Sequence, residues 1–133
     1  MEMSDRDHAL QLLEMAADDQ RALAHMTDAE VFTEGVFGFH AQQAVEKALK
    51  AWTAALRAEY PMTHNIAELL DALEERGADV RGFASLEGYT AFAVQYRYEA
   101  FNRRGERFHR PKVVDETAAL ISHVQDIIDR SAP

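Results

Sequence analysis

The chain has 133 residues, of which 47% are hydrophobic and 28% charged, with a formal net charge of −9. That balance excludes a disordered chain, and the surplus of acids excludes broad, non-specific attraction to nucleic acid. The absence of cysteine excludes disulfides and thiolate metal sites. The acidic start Met1-Glu2-Met3-Ser4-Asp5, with no apolar run of spanning length, predicts a cytoplasmic protein with neither signal peptide nor membrane segment.

Only 3 prolines and 6 glycines interrupt a chain rich in alanine, leucine and glutamate, so the expectation is an all-α fold. Ser4 is placed to cap a first helix, with Asp5 and Asp7 facing its positive end. Ala9, Leu12, Leu13, Ala16 and Leu23 form its apolar stripe, to about Met26. Asp28 is the expected cap of a second helix running to roughly Glu59, with a bend near Gly35 and a stop at Pro61. Thr63 is expected to cap a third, ending near Arg76 with Gly77 as its terminal glycine. A loop through Gly82 then leads to a fourth helix, about Ala84 to Asn102. After Gly105, Pro111 opens a fifth, which reaches about Arg130 with Val114, Ala118, Ile121, Val124 and Ile128 inward. Connections this short predict one domain over residues 1–133, a single up-and-down bundle of about five helices.

The second helix carries the most information. Ala41, Ala44, Val45, Ala48, Leu49, Trp52, Ala55 and Leu56 share one face, while His40, Gln43, Lys47, Lys50 and Ala54 project from the other. Such a polar face is either solvated or one wall of a ligand groove. Glu46 borders the apolar stripe, where it can pair with Lys50 one turn on or reach across the bundle to Arg97. His64 sits where a helix dipole favours a neutral imidazole. Tyr89, Phe92, Tyr96 and Phe101, at helical spacing, read as core or dimer contacts.

The run Gln43-Ala44-Val45-Glu46-Lys47-Ala48-Leu49-Lys50-Ala51 resembles the second helix of HEPN domains. Tyr60-Pro61-Met62-Thr63-His64, followed by Ile66, Leu69, Leu70 and Leu73, resembles that family's turn and short third helix. Tyr96-Arg97-Tyr98 resembles its arginine-tyrosine element. The resemblance implies a HEPN-like bundle that forms homodimers, with Arg97, Tyr98, Gln43, Lys47, Lys50, Glu46 and His64 as ligand-binding residues. It also implies one of three roles: an RNA-cleaving toxin, the partner of a minimal nucleotidyltransferase, or a nucleotide- or RNA-binding module.

Charge placement bears on the choice. Arg97, Arg103, Arg104, Arg107, Arg110 and Lys112 gather 6 of the 14 basic residues, offset locally only by Glu99 and Glu106. Such a cluster either grips phosphate oxygens or neutralises acids on neighbouring helices. Ribonucleases of the resembled family carry an arginine closely followed by a histidine, which performs metal-free acid–base chemistry on the RNA backbone. Arg103 and Arg104 with His109 offer such pairs, as does Arg57 with His64, but no histidine follows Arg97 at that spacing. The departure resembles the histidine-lacking, arginine-tyrosine subfamily.

Glu106 and His109 match the carboxylate–histidine spacing of di-iron bundles once, where two helices would be needed, so no metal and no cofactor is expected. The leading expectation is a non-catalytic module that binds a nucleotide or RNA phosphate and pairs with a minimal nucleotidyltransferase in a two-component, toxin-antitoxin-like system. A metal-independent endoribonuclease using His109 with Arg103 or Arg104, and a structural adaptor between proteins, are the alternatives.

Overall fold

The computed structural model describes residues 4–92 and 109–131. They form an all-helical bundle in the order α1 (Asp5–Ala24), α2 (Glu34–Ala55), α3 (Ile66–Glu75), a 3-10 helix (Arg81–Phe92) and α4 (Arg110–Arg130). No strand occurs among the described residues.

Local chemistry sets most boundaries. Ser4 caps α1 by accepting the Asp7 amide at 3.1 Å. The cap of α2 is Thr33, not Asp28: Thr33 Oγ1 accepts the Val36 amide at 3.2 Å. Asp28 instead closes a turn, its carboxylate taking the Glu30 amide and its carbonyl those of Val31 and Phe32. The α1–α2 connection is therefore longer than expected, and the expected bend near Gly35 becomes the start of the helix. The far end of α2 also differs, closing at Ala55, well before Pro61. There Arg57 takes a φ of +61° and the amides of Arg57 and Ala58 return to the carbonyls of Ala54 and Thr53. This is the left-handed termination that glycine usually supplies. Leu56, expected on the apolar face, is the cap of that motif and is exposed.

Gly77, with φ +86°, closes α3 by the same geometry, as expected. Its cap is Asn65, which accepts the Glu68 amide, whereas Thr63 accepts the Asn65 amide just upstream. The segment expected to loop through Gly82 and turn helical near Ala84 is a 3-10 helix from Arg81 onward. Gly82, Ser85, Gly88 and Thr90 give it little α propensity. The remainder of the expected fourth helix lies outside the described residues. Pro111 stands in the first turn of α4 as expected, but the buried face is Val113, Thr117, Leu120, Val124 and Ile128. Val114, Ala118 and Ile121 are only half-buried. The inward stripe is thus displaced by one residue over its first half, and Thr117 is tolerated there because its hydroxyl donates to the Val113 and Val114 carbonyls.

Helix α2 lies at the centre and packs against α1, α3, α4 and the 3-10 helix. Gly35, Gly38, Ala41, Ala44, Ala48, Ala51 and Ala54 are all buried on it, and such small side chains let neighbouring backbones approach from several sides. At Gly38 the approach is closest, where a Cβ would overlap the Phe92 ring. One apolar cluster joins Leu13, Leu49, Trp52, Ile66, Leu69 and Leu120; a smaller one joins Leu23, Phe37, Ala41 and Val113. Tyr89, half-buried, packs against both clusters, and burial pushes its hydroxyl up to about 12.

Arg110 fastens the smaller cluster. Its guanidinium is buried, donates to Glu34 Oε1 at 2.7 Å and to the carbonyls of Met26 and Phe32 at 2.7 and 2.8 Å, and lies 4.8 Å from the Phe37 ring centre. One side chain thus ties the start of α4 to the α1–α2 connection. Removing one partner of a buried pair leaves an uncompensated charge, at a cost of about 3–5 kcal/mol. Arg110→Ala is therefore expected to lose about that much stability in urea unfolding, with an unchanged denaturant slope.

A second test concerns Asp79, whose carboxylate accepts Arg81 Nε and Nη2, both at 2.9 Å, and the Arg81 amide at 3.2 Å. The side-chain bonds come first in lowering its pKa to about 2. A lowered folded value means that the contribution is present above the ordinary carboxylate value and is lost as pH falls through about 2. Carboxylate NMR titration should show Asp79 still ionised at pH 3, and Arg81→Ala should return it toward the ordinary value.

A buried carboxylate on the central helix as candidate functional site

The polar residues of α2 do not form a solvated stripe. Close packing half-buries His40, Gln43, Lys47 and Lys50 and fully buries Gln42 and Glu46, so each charge there needs a partner. Two groups of contacts supply them.

The first is centred on Glu46. Its Oε1 accepts Gln42 Nε2 at 2.8 Å and His64 Nδ1 at 2.7 Å, while Oε2 accepts Lys50 Nζ at 3.2 Å. Gln42 Nε2 also reaches the His64 carbonyl at 3.4 Å, and Gln42 Oε1 accepts the Gln43 amide at 2.7 Å. Lys50 Nζ stands 5.5 Å from the centre of the Tyr60 ring, and the Tyr60 hydroxyl is 2.7 Å from His8 Nε2. This cluster joins the start of α1, the middle of α2 and the turn before α3. Its buried end is a carboxylate and an amide; its outer end is the His64 side chain, 65% exposed.

The second is centred on Asp19 of α1, which meets Lys47 Nζ at 2.7 Å and His40 Nδ1 at 3.1 Å. It spends the Lys47 charge on α1–α2 packing.

Glu46, Gln43, Lys50 and His64, singled out by sequence, are thus one connected network, and Lys47 lies one turn away in the other. The Glu46–Lys50 pairing expected from their spacing is present. Arg97 and Tyr98, and the alternative pair Arg103 and Arg104, lie outside the described residues, as does the reach of Glu46 to Arg97. His109 is exposed at the start of α4, and its Nδ1 accepts the Lys112 amide at 3.3 Å. Of the two readings of the arginine cluster, Arg110 follows the second: it neutralises Glu34 on a neighbouring helix and is locked inside the bundle. Lys112 remains exposed.

Sequence reasoning missed Gln42, Tyr60, His8 and Asp19 as members of these networks. Gln42 had a signal, standing four residues before Glu46 on the same helix face. The other three are brought in by tertiary packing alone. Among the described residues no group of three or more histidines and acids is arranged to hold a metal, and no helix is long and apolar enough to cross a membrane.

Burial of Glu46 makes its donors interdependent. Glu46→Ala strands a lysine, a histidine and a buried amide together, and should cost about 2–4 kcal/mol in urea unfolding. Asp19→Ala, at a more open pair, should cost about 1 kcal/mol or less. Equal losses would contradict this ranking.

The model of the HEPN domain matches residues 9–130, a span that includes Glu46 and Asp19 with all their direct partners. No curated protein and no solved structure matches.

Proposed function

The chain belongs to the HEPN domain family, and from that premise we propose that it is a non-catalytic module that binds the phosphate of a nucleotide or RNA. In this reading it acts as a homodimer and pairs with a minimal nucleotidyltransferase in a two-component, toxin-antitoxin-like system. Membership of the family is consistent with a nucleotide- or RNA-related role. The observation that carries the binding reading is the Glu46 network: a buried carboxylate and a fully buried amide hold a largely buried lysine and an exposed histidine together.

Arg97 supplies the principal forked cation for the phosphate, with Tyr98 beside it. Lys50 and His64 meet the rest of the ligand, while Gln43 and Glu46 orient them and Lys47 holds the neighbouring turn of α2. With a net charge of −9, the chain repels polyanions at long range, so recognition depends on these local contacts.

One observation favours the endoribonuclease as a second reading. His109 is exposed at the start of α4, within reach of an external ligand. In this reading it performs the acid–base chemistry, with Arg103 or Arg104 on the phosphate.

The test is binding of labelled single-stranded RNA and of nucleotides at low salt in chelator, with cleavage followed in the same samples. Binding without cleavage, weakened by added salt and abolished in Arg97→Glu, is expected. Cleavage lost in His109→Ala would establish the second reading instead. Absence of both binding and cleavage would overturn each and leave an adaptor between proteins.

A further inference from the structure

We infer that the outward nitrogen of His64 accepts a hydrogen bond from a ribose 2′-hydroxyl, so that the site selects RNA or ribonucleotides over their deoxy counterparts. The inference rests on the phosphate-binding reading above and adds to it the class of sugar.

The reasoning starts at Glu46. Its carboxylate meets an amide nitrogen of Gln42 at 2.8 Å, the Lys50 ammonium at 3.2 Å and His64 Nδ1 at 2.7 Å. An amide N–H and an ammonium only donate, so the carboxylate is an ionised acceptor and the hydrogen between it and His64 sits on Nδ1. The orientation of Gln42 is fixed independently: its nitrogen also reaches the His64 carbonyl, and its oxygen takes the Gln43 amide. No member of the chain is left to donate in the opposite sense.

A neutral imidazole with its hydrogen on Nδ1 carries a lone pair on Nε2. That nitrogen makes no hydrogen bond among the described residues, and the side chain is 65% exposed. With the ring neutral, the site presents an exposed acceptor held from behind by a buried carboxylate. On the other oxygen of the same carboxylate stands the Lys50 ammonium, its side chain 13% exposed, which adds positive charge behind the ring. An acceptor next to a cation complements a hydroxyl donor next to a phosphate, which is one ribonucleotide unit. Deoxyribose has no such donor. A 2′-O-methyl ribose keeps the oxygen but cannot donate from it.

The experiment measures binding of the full chain to one labelled single-stranded sequence made as RNA, as DNA and as 2′-O-methyl RNA, at low salt in chelator, with the His64→Ala variant alongside. The RNA should bind about fivefold tighter than the 2′-O-methyl strand, the worth of one hydrogen bond. In His64→Ala that preference should vanish, while the weaker affinity for the 2′-O-methyl strand remains. Equal affinity of the unmodified protein for all three strands overturns the hydroxyl contact and leaves phosphate binding intact. A preference for RNA that survives His64→Ala overturns the role of His64. Failure to bind any of the three overturns the phosphate-binding reading and this inference together.

Discussion

An ionised carboxylate placed inside a helical bundle has to be met by donors, and Glu46 stands on the helix that every other described element touches. Small residues along α2 draw α1, α3 and α4 in close, and that approach removes water from the polar side chains of the same helix. What results is a constraint rather than a simple gain in stability: the polar groups of α2 persist only in mutually satisfied sets. Glu46 settles where His64 points, which tautomer it adopts and where the Lys50 charge rests. Asp19 does the same for Lys47 and His40. The turn before α3 is positioned through these contacts as much as through its apolar packing.

A comparison of three arginine or lysine positions shows how the fold divides charge between structure and surface. Arg110 is consumed in the interior, bridging Glu34 and two backbone carbonyls. Lys47 is held at the α1–α2 seam by Asp19. Lys50 is also paired and largely buried, and its partner is shared with an exposed histidine. Both acids are shared by a lysine and a histidine, but the His64 side chain is 65% exposed against 29% for His40, and that exposure gives the Glu46 group its chemical character at the surface.

Much of the fold was legible in the sequence because its signals are local. Ser4 and Gly77 mark helix ends through their own side chain or backbone freedom, and both act as expected. Asp28 and Thr63 carry equally good capping chemistry and serve turns instead, because Thr33 and Asn65 stand nearer the points where packing starts the helices. The left-handed Arg57 has no sequence signature at all, since glycine is the usual occupant. The candidate site was half legible. Glu46 and Lys50 are one helical turn apart and could be paired by counting, whereas His64 lies 18 residues from Glu46 and Asp19 lies 28 from Lys47. Density of arginine along the chain left two readings of Arg110 open; a cation in the first turn of a helix opposes the dipole there, which favours the one realised, a nearby acid.

The central claim is that the polar network around Glu46 forms part of a ligand-contacting surface and does more than tie helices together. Chemical-shift mapping by NMR tests it most directly, with a single-stranded ribo-oligonucleotide titrated at low salt into the labelled protein. The account predicts perturbations concentrated at the side chains of His64, Gln42, Gln43 and Lys50, with the imidazole of His64 among the most affected. Shifts confined to other faces of the bundle, with the His64 ring unmoved at saturation, would contradict it.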